Sequence, residues 1–182
     1  MKTPKPMNPM RRSFLLRGAG AAIAAAALGG CSTITGAVKS TVDKAMNLVT
    51  FKGTRLGWKE VVIAASDGAN LNTSVAVDIV LVIEEVALEK LTALPASKWF
   101  QARADLLRTF PGTFSYKSWE VAPGQSLRIK GDAFGTPSVV GVFVFADYLT
   151  PGEHRMRVEQ LSDGIIVELG ARGFTVSPYK VD

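Results

Sequence analysis

The sequence predicts a mainly β fold: a β-sandwich of seven to eight short strands with one helical insertion at about residues 84–110. Three observations predict it. Val75, Val77, Ile79, Leu81 and Ile83 alternate with Ala76, Asp78, Val80 and Val82, which is the period of a strand. Turn formers punctuate the apolar runs at Asp67-Gly68-Ala69-Asn70-Leu71-Asn72-Thr73-Ser74, Ala122-Pro123-Gly124-Gln125 and Ser162-Asp163-Gly164. Beyond residue 58, helical spacing is confined to one stretch, and strand runs without regular intervening helices argue against a doubly wound parallel sheet.

Three segments precede or make up that fold. Residues 1–30 carry Lys2, Lys5, Arg11, Arg12 and Arg17 and no acid, with an apolar run from about Phe14. A basic start, a short apolar stretch and a small-residue cleavage site make a secretory signal peptide. The run from Gly18 to Gly30 is mostly alanine and glycine and falls short of the roughly 20 apolar residues of a membrane span. Leu28-Gly29-Gly30-Cys31 resembles the bacterial lipobox. The resemblance implies that Cys31, the only cysteine, takes a diacylglyceryl group on its sulfur, whose thiolate is the nucleophile. Cleavage before it then frees an amine that is acylated too. Arg11-Arg12-Ser13-Phe14-Leu15 resembles a twin-arginine signal, but Met10 and Leu16 depart from it, so the export route stays open between twin-arginine and general secretory. Ser32, where an aspartate would resemble an inner-membrane retention signal, implies the outer membrane. Acyl chains contribute about 0.8 kcal/mol per buried methylene, and three chains hold a protein where one does not.

Residues 31–50 form the lipidated cysteine and a tether. Val38, Val42, Ala45, Met46 and Val49 recur at roughly helical spacing, leaving a helix and an unstructured linker both open. The segment after Cys31 spans roughly 65 Å if extended at about 3.4 Å per residue, or roughly 28 Å if helical.

The β-sandwich domain is assigned to residues 51–182. Trp58 to Ser66, with Val61, Val62 and Ile63, predicts the first strand, and Val75 to Ile83 the second. In the insertion, Leu88, Leu91 and Leu94 share one side of a first helix, which Pro95 interrupts. Ser97 is placed to cap a second. There Trp99, Arg103, Leu106 and Phe110, with Phe100 and Leu107 beside them, make an amphipathic face. That face either packs on the sheet or binds a partner. Phe114 to Val121 reads as a strand, and Leu127 and Ile129 alternate with Arg128 and Lys130 in the next. Val139 to Ala146 is apolar on both faces and should be central. Arg155 to Leu161 and Ile165 to Leu169 flank Ser162-Asp163-Gly164 as a predicted hairpin, and Phe174 and Val176 mark a last strand.

Charge and chemistry narrow the function. The whole chain has a formal net charge of +5. Its 21 basic residues include the five of residues 1–30, so the remainder balances 16 acids with as many bases. A nucleic-acid interface, which needs a basic patch in the folded domain, loses its support. His154 is the only histidine, next to Arg155, and reads as a surface residue. One histidine and an acylated cysteine cannot build a zinc site. There is no Gly-x-Ser-x-Gly elbow and no phosphate-cradling loop. Glu84 and Glu85 are adjacent and suit the start of a helix. No enzyme, metal or cofactor is expected.

Three stretches resemble the outer-membrane lipoprotein of the bacterial type VI secretion system, the TssJ (SciN) family. They are Ala69-Asn70-Leu71-Asn72-Thr73-Ser74 running into the strand Val75 to Val80, then Ala122-Pro123-Gly124-Gln125-Ser126-Leu127, then Val139 to Tyr148 ending Phe145-Ala146-Asp147-Tyr148. The resemblance covers most of residues 58–176, and the order of the pieces behind a lipobox and a tether carries it more than any single motif. The family usually has an arginine and a tyrosine in the second strand, where this chain has Asp78 and no aromatic; the departure suits a divergent branch. The resemblance implies a transthyretin-like sandwich without catalysis, lipid-anchored on the periplasmic face of the outer membrane. It further implies that the chain binds the periplasmic domain of the inner-membrane subunit TssM. The family's main contact is the loop between its first two strands, which gives that role to Asp67, Asn70, Leu71, Asn72 and Thr73. The alternative is a lipid-anchored ligand- or glycan-binding module using exposed Tyr116, Trp119 or Tyr148.

Overall fold

The computed structural model describes residues 52–181. The signal peptide, Cys31 and the tether lie outside the described residues. Ten strands and two helices follow in order: β1 (Thr54–Arg55), β2 (Gly57–Ala65), β3 (Val75–Val82), α1 (Glu85–Thr92), α2 (Ala96–Thr109), β4 (Phe114–Val121), β5 (Ser126–Lys130), β6 (Ser138–Val139), β7 (Gly141–Asp147), β8 (Arg155–Arg157), β9 (Ser162–Leu169) and β10 (Phe174–Pro178). Two four-stranded sheets, β10-β9-β2-β5 and β4-β3-β7-β8, stack face to face, and β1 pairs with β6 as a two-residue ladder. The eight strands of the stacked sheets are the predicted sandwich; the β1–β6 ladder is too short to leave a sequence signal. Among the described residues no helix is long and apolar enough to cross a membrane.

β3 explains the layering. Its odd-numbered side chains, Val75, Val77, Ile79 and Leu81, join the core between the sheets with Val61 and Ile63 of β2, Val142 and Val144 of β7, and Ile165 and Val167 of β9. Its even-numbered Val80 and Val82 belong to a second core with Phe143, Phe145, Phe114, Ala87, Leu91, Ala96 and Trp99. A strand apolar on both faces must be covered on both, and α1 and α2 cover the second face. The amphipathic face beginning at Trp99 is therefore a packing face, and Trp99 is fully buried. Its ring stacks on Phe145 at 4.9 Å and meets Tyr116 edge-on at 5.4 Å.

Asp78, in the middle of β3, points into that helical layer and is 0% exposed. Its Oδ2 accepts hydrogen bonds from Trp99 Nε1 at 2.8 Å and from Arg103 at 2.5 Å. The Arg103 guanidinium also lies 5.1 Å from the Phe100 ring centre and 5.5 Å from that of Tyr116. Asp78 Oδ1 has no hydrogen-bond partner among the described residues. Desolvating a carboxylate costs several kcal/mol, which only an opposite charge and good donors offset.

Two sequence expectations are corrected. Ser162-Asp163-Gly164 is not a hairpin. β8 pairs with β7 in one sheet, whereas β9 runs parallel to β2 in the other. Asp163, at φ 59°, and Gly164 pair with Trp58 and Glu60 across a register shift in which β2 carries one extra residue, Lys59, so the turn-forming residues lie inside β9 opposite a bulge in β2. A Cβ at Gly164 would lie 2.5 Å from the Glu60 carbonyl oxygen, which explains the glycine. Second, Ser97 does not cap α2. The helix starts one residue earlier behind Pro95, without a side-chain cap, and the Ala96 amide bonds the Glu153 carbonyl at 2.8 Å.

Asp78→Ala should cost about 2 kcal/mol in urea unfolding, because it leaves the buried Trp99 indole N–H without an acceptor and the partly exposed Arg103 without its ion pair. A loss below about 1 kcal/mol would show that the carboxylate does not brace the helical layer.

Candidate functional site

Four connections meet at the end of the sandwich opposite β1: residues 66–74, 122–125, 148–154 and 170–173. Backbone bonds tie them together. The Asn70 amide donates to Gly170 at 3.1 Å and the Gly124 amide to Ser66 at 3.2 Å. Tyr148 Oη donates to the Gly173 carbonyl at 2.7 Å, and Thr150 Oγ1 to that of Arg172 at 3.2 Å. The chain enters at the other end, and β2 separates the two ends by roughly 30 Å at about 3.3 Å per residue.

The 66–74 connection has an unusual backbone. Asn70, Leu71 and Asn72 take φ values of 46°, 57° and 64°, three successive non-glycine residues in the left-handed region. Asparagine tolerates this region; leucine pays roughly 1–2 kcal/mol. Asn70 supplies the compensation. It is 2% exposed, its Nδ2 donates to Ser74 O at 3.0 Å, and its Oδ1 accepts from the Leu149 amide at 2.8 Å. Thr73 Oγ1 donates to the Asn70 carbonyl at 2.7 Å.

Of the five residues assigned to partner binding, Asp67, Leu71, Asn72 and Thr73 are exposed together at this end. Leu71 is 52% exposed, a large apolar side chain held in water. Asn70 points inward with both ends of its amide engaged, so it acts on the loop's shape and offers nothing outward. Sequence reasoning missed Leu149, which is 67% exposed in the neighbouring connection. The only available signal was its position just beyond the central strand, ahead of the turn-forming Pro151-Gly152.

The aromatic platform of the alternative reading is not formed. Tyr148 is buried, and Tyr116 and Trp119 are half-buried, Tyr116 against Trp99 and Trp119 beside Phe134. His154 is also not a plain surface residue. It is half-buried, stacks on Tyr148 at 4.7 Å, and donates from Nε2 to the Thr150 carbonyl at 2.7 Å. A cleft of about 700 Å³ beside β9 and β10 is open and has Glu168 as the one ionisable side chain lining it. Among the described residues no group of three or more His, Cys, Asp or Glu could hold a metal ion.

No family model and no curated protein matches the chain. Solved structures do. The type VI secretion lipoprotein TssJ1 of Pseudomonas aeruginosa superposes with a TM-score of 0.52 at 14% identity, over 71% of this chain and 99% of that one. This chain has the TssJ fold. A chain of a type VI membrane complex superposes with a TM-score of 0.50 at 17% identity, over 69% and 99%. The membrane-bound type VI component Lip of Serratia marcescens reaches 0.48 at 13% identity, over 66% and 96%. The TssJ fold makes the architecture a transthyretin-like β-sandwich, here with two helices laid over one sheet.

Burial pushes the Tyr148 hydroxyl up to about 12, and the Gly170 amide beside it offsets part of that rise. The folded state keeps this proton where the unfolded chain has lost it. Its contribution is therefore full below pH ~10 and falls as pH rises through about 12. Urea unfolding at pH 9 to 12 should show stability falling, with Tyr148→Phe flattening the fall. Parallel curves for the two proteins would contradict the assignment.

Proposed function

We propose that this chain is a non-catalytic outer-membrane lipoprotein of the TssJ kind. Acylated Cys31 holds it on the periplasmic face, and residues 31–50 tether the sandwich. The 67–73 loop docks on the periplasmic domain of the inner-membrane subunit TssM, which anchors a trans-envelope secretion complex. The observation that carries this reading is the loop itself. An exposed leucine stands on a strained, internally braced turn, at the end of the domain opposite the incoming chain. Strained backbone persists where the surroundings hold it and a function uses it. The TssJ fold and the Leu28-Gly29-Gly30-Cys31 lipobox support the same reading.

Affinity in this reading comes from packing. With zero formal net charge beyond residue 30, the domain has no long-range field to steer a partner, and a few anchors carry most of the energy. Leu71 is the anchor, flanked by Asn72, Thr73 and Asp67. Leu71→Asp should weaken binding to the TssM periplasmic domain by at least about 2 kcal/mol in calorimetric titration. The melting curve should hardly move, since exposed loop substitutions stay within about 0.5 kcal/mol. Unchanged affinity in a folded variant would remove the loop from the interface.

The anchor has its own test. In cells fed labelled fatty acid, wild-type protein should carry label and Cys31→Ser should stay unprocessed and unlabelled. Equal labelling of the two would end the lipoprotein reading.

A further inference from the structure

Four large apolar side chains are conspicuously exposed among the described residues: Leu71, Ile83, Val86 and Leu149. Leu71 and Leu149 sit in separate connections at the same end of the sandwich. Asn70 couples those connections: it precedes Leu71 in the chain, and its Oδ1 receives the Leu149 amide at 2.8 Å. Leu149 is held from its other side too, because Thr150 bonds the Arg172 carbonyl at 3.2 Å and Tyr148 the Gly173 carbonyl at 2.7 Å. Two exposed leucines are thus carried on turns whose backbones are fixed relative to each other. Fixing them beforehand lowers the ordering cost of binding.

We infer that Leu71 and Leu149 form one two-pronged docking site, registered by the Asn70 amide, for a protein partner whose groove is apolar and uncharged. This rests on the reading that the loop binds a protein, and adds a second anchor and the brace between them. The charge around the prongs selects the occupant. On the four connections the ionisable side chains besides His154 and the buried Tyr148 are Asp67, Glu153 and Arg172, and Glu153 lies 3.5 Å from Arg155. No basic cluster stands there to hold an anionic lipid surface. The first described residues, leading into Thr54–Arg55, lie at the opposite end of the sandwich from these prongs.

The test uses the full chain in the native bacterium, with a photoreactive residue in place of Asn72 or Pro151 so that both leucines remain. Adducts are identified by mass spectrometry. Both positions should capture the same protein, TssM on the present reading, and Leu149→Asp should reduce the adduct formed from position 72 at least about tenfold. Asn70→Ala should reduce it as well, by unlinking the two turns. Melting curves of the purified variants establish that they are folded. If Leu149→Asp folds and leaves the position-72 adduct intact, or if position 151 captures lipid or nothing, the two-pronged site is wrong while the loop reading survives. If both positions capture one other identified protein and Leu149→Asp abolishes that adduct, the site stands and the TssM assignment falls.

Discussion

One buried carboxylate sets the arrangement of this domain. Asp78 sits where a strand covered on both faces would ordinarily carry an apolar residue, and it is charged, so something must be brought to it. Trp99 and Arg103 are brought, one helical turn apart on α2, and both reach the same oxygen. That requirement fixes the helix over β3 and lets Trp99 fill the space between Phe145, Phe114 and Tyr116. Removing either side leaves a desolvated charge or donor behind, which is more costly than the pair's net contribution.

The same pair settles what the helices can do. An amphipathic helix can face a core or a partner, and here its apolar side is used up against the second sheet. The outward side of α2 carries Lys98, Gln101, Asp105 and Arg108, which are exposed. Apart from Ile83 and Val86 at the start of α1, the large apolar side chains left exposed among the described residues are Leu71 and Leu149, both at the loops. Leu71 and Leu149 are kept in water by turns that bond each other instead of collapsing onto the sheet.

Much of the fold was legible in the sequence because its signals are local. β3 and β7 show apolar runs, the insertion shows helical spacing broken at Pro95, and β5 alternates Leu127 and Ile129 with basic residues. What failed was long-range. Asp163-Gly164 has the chemistry of a hairpin turn, and no local rule separates that from a strand position facing a bulge in β2, about a hundred residues earlier. Asp78 stood out as a departure from the family pattern, and its complement on α2 became visible only when the helix lay on the sheet. In the loop, composition marked an exposed turn and Leu71 as its apolar residue. It could not tell that Asn70 turns inward, since an asparagine serves a turn or a partner equally well. Leu149 was hidden because an irregular connection has no period from which to read exposure.

The central claim is that this sandwich binds through its loop end and keeps its helical layer for itself. Amide hydrogen exchange of this domain, with and without the periplasmic domain of TssM, tests it most directly. The account predicts new protection in residues 66–74 and 148–154, with α2 (Ala96–Thr109) exchanging at the same rate in both states. Protection spread along α1 and α2, with the two loops unchanged, would contradict it.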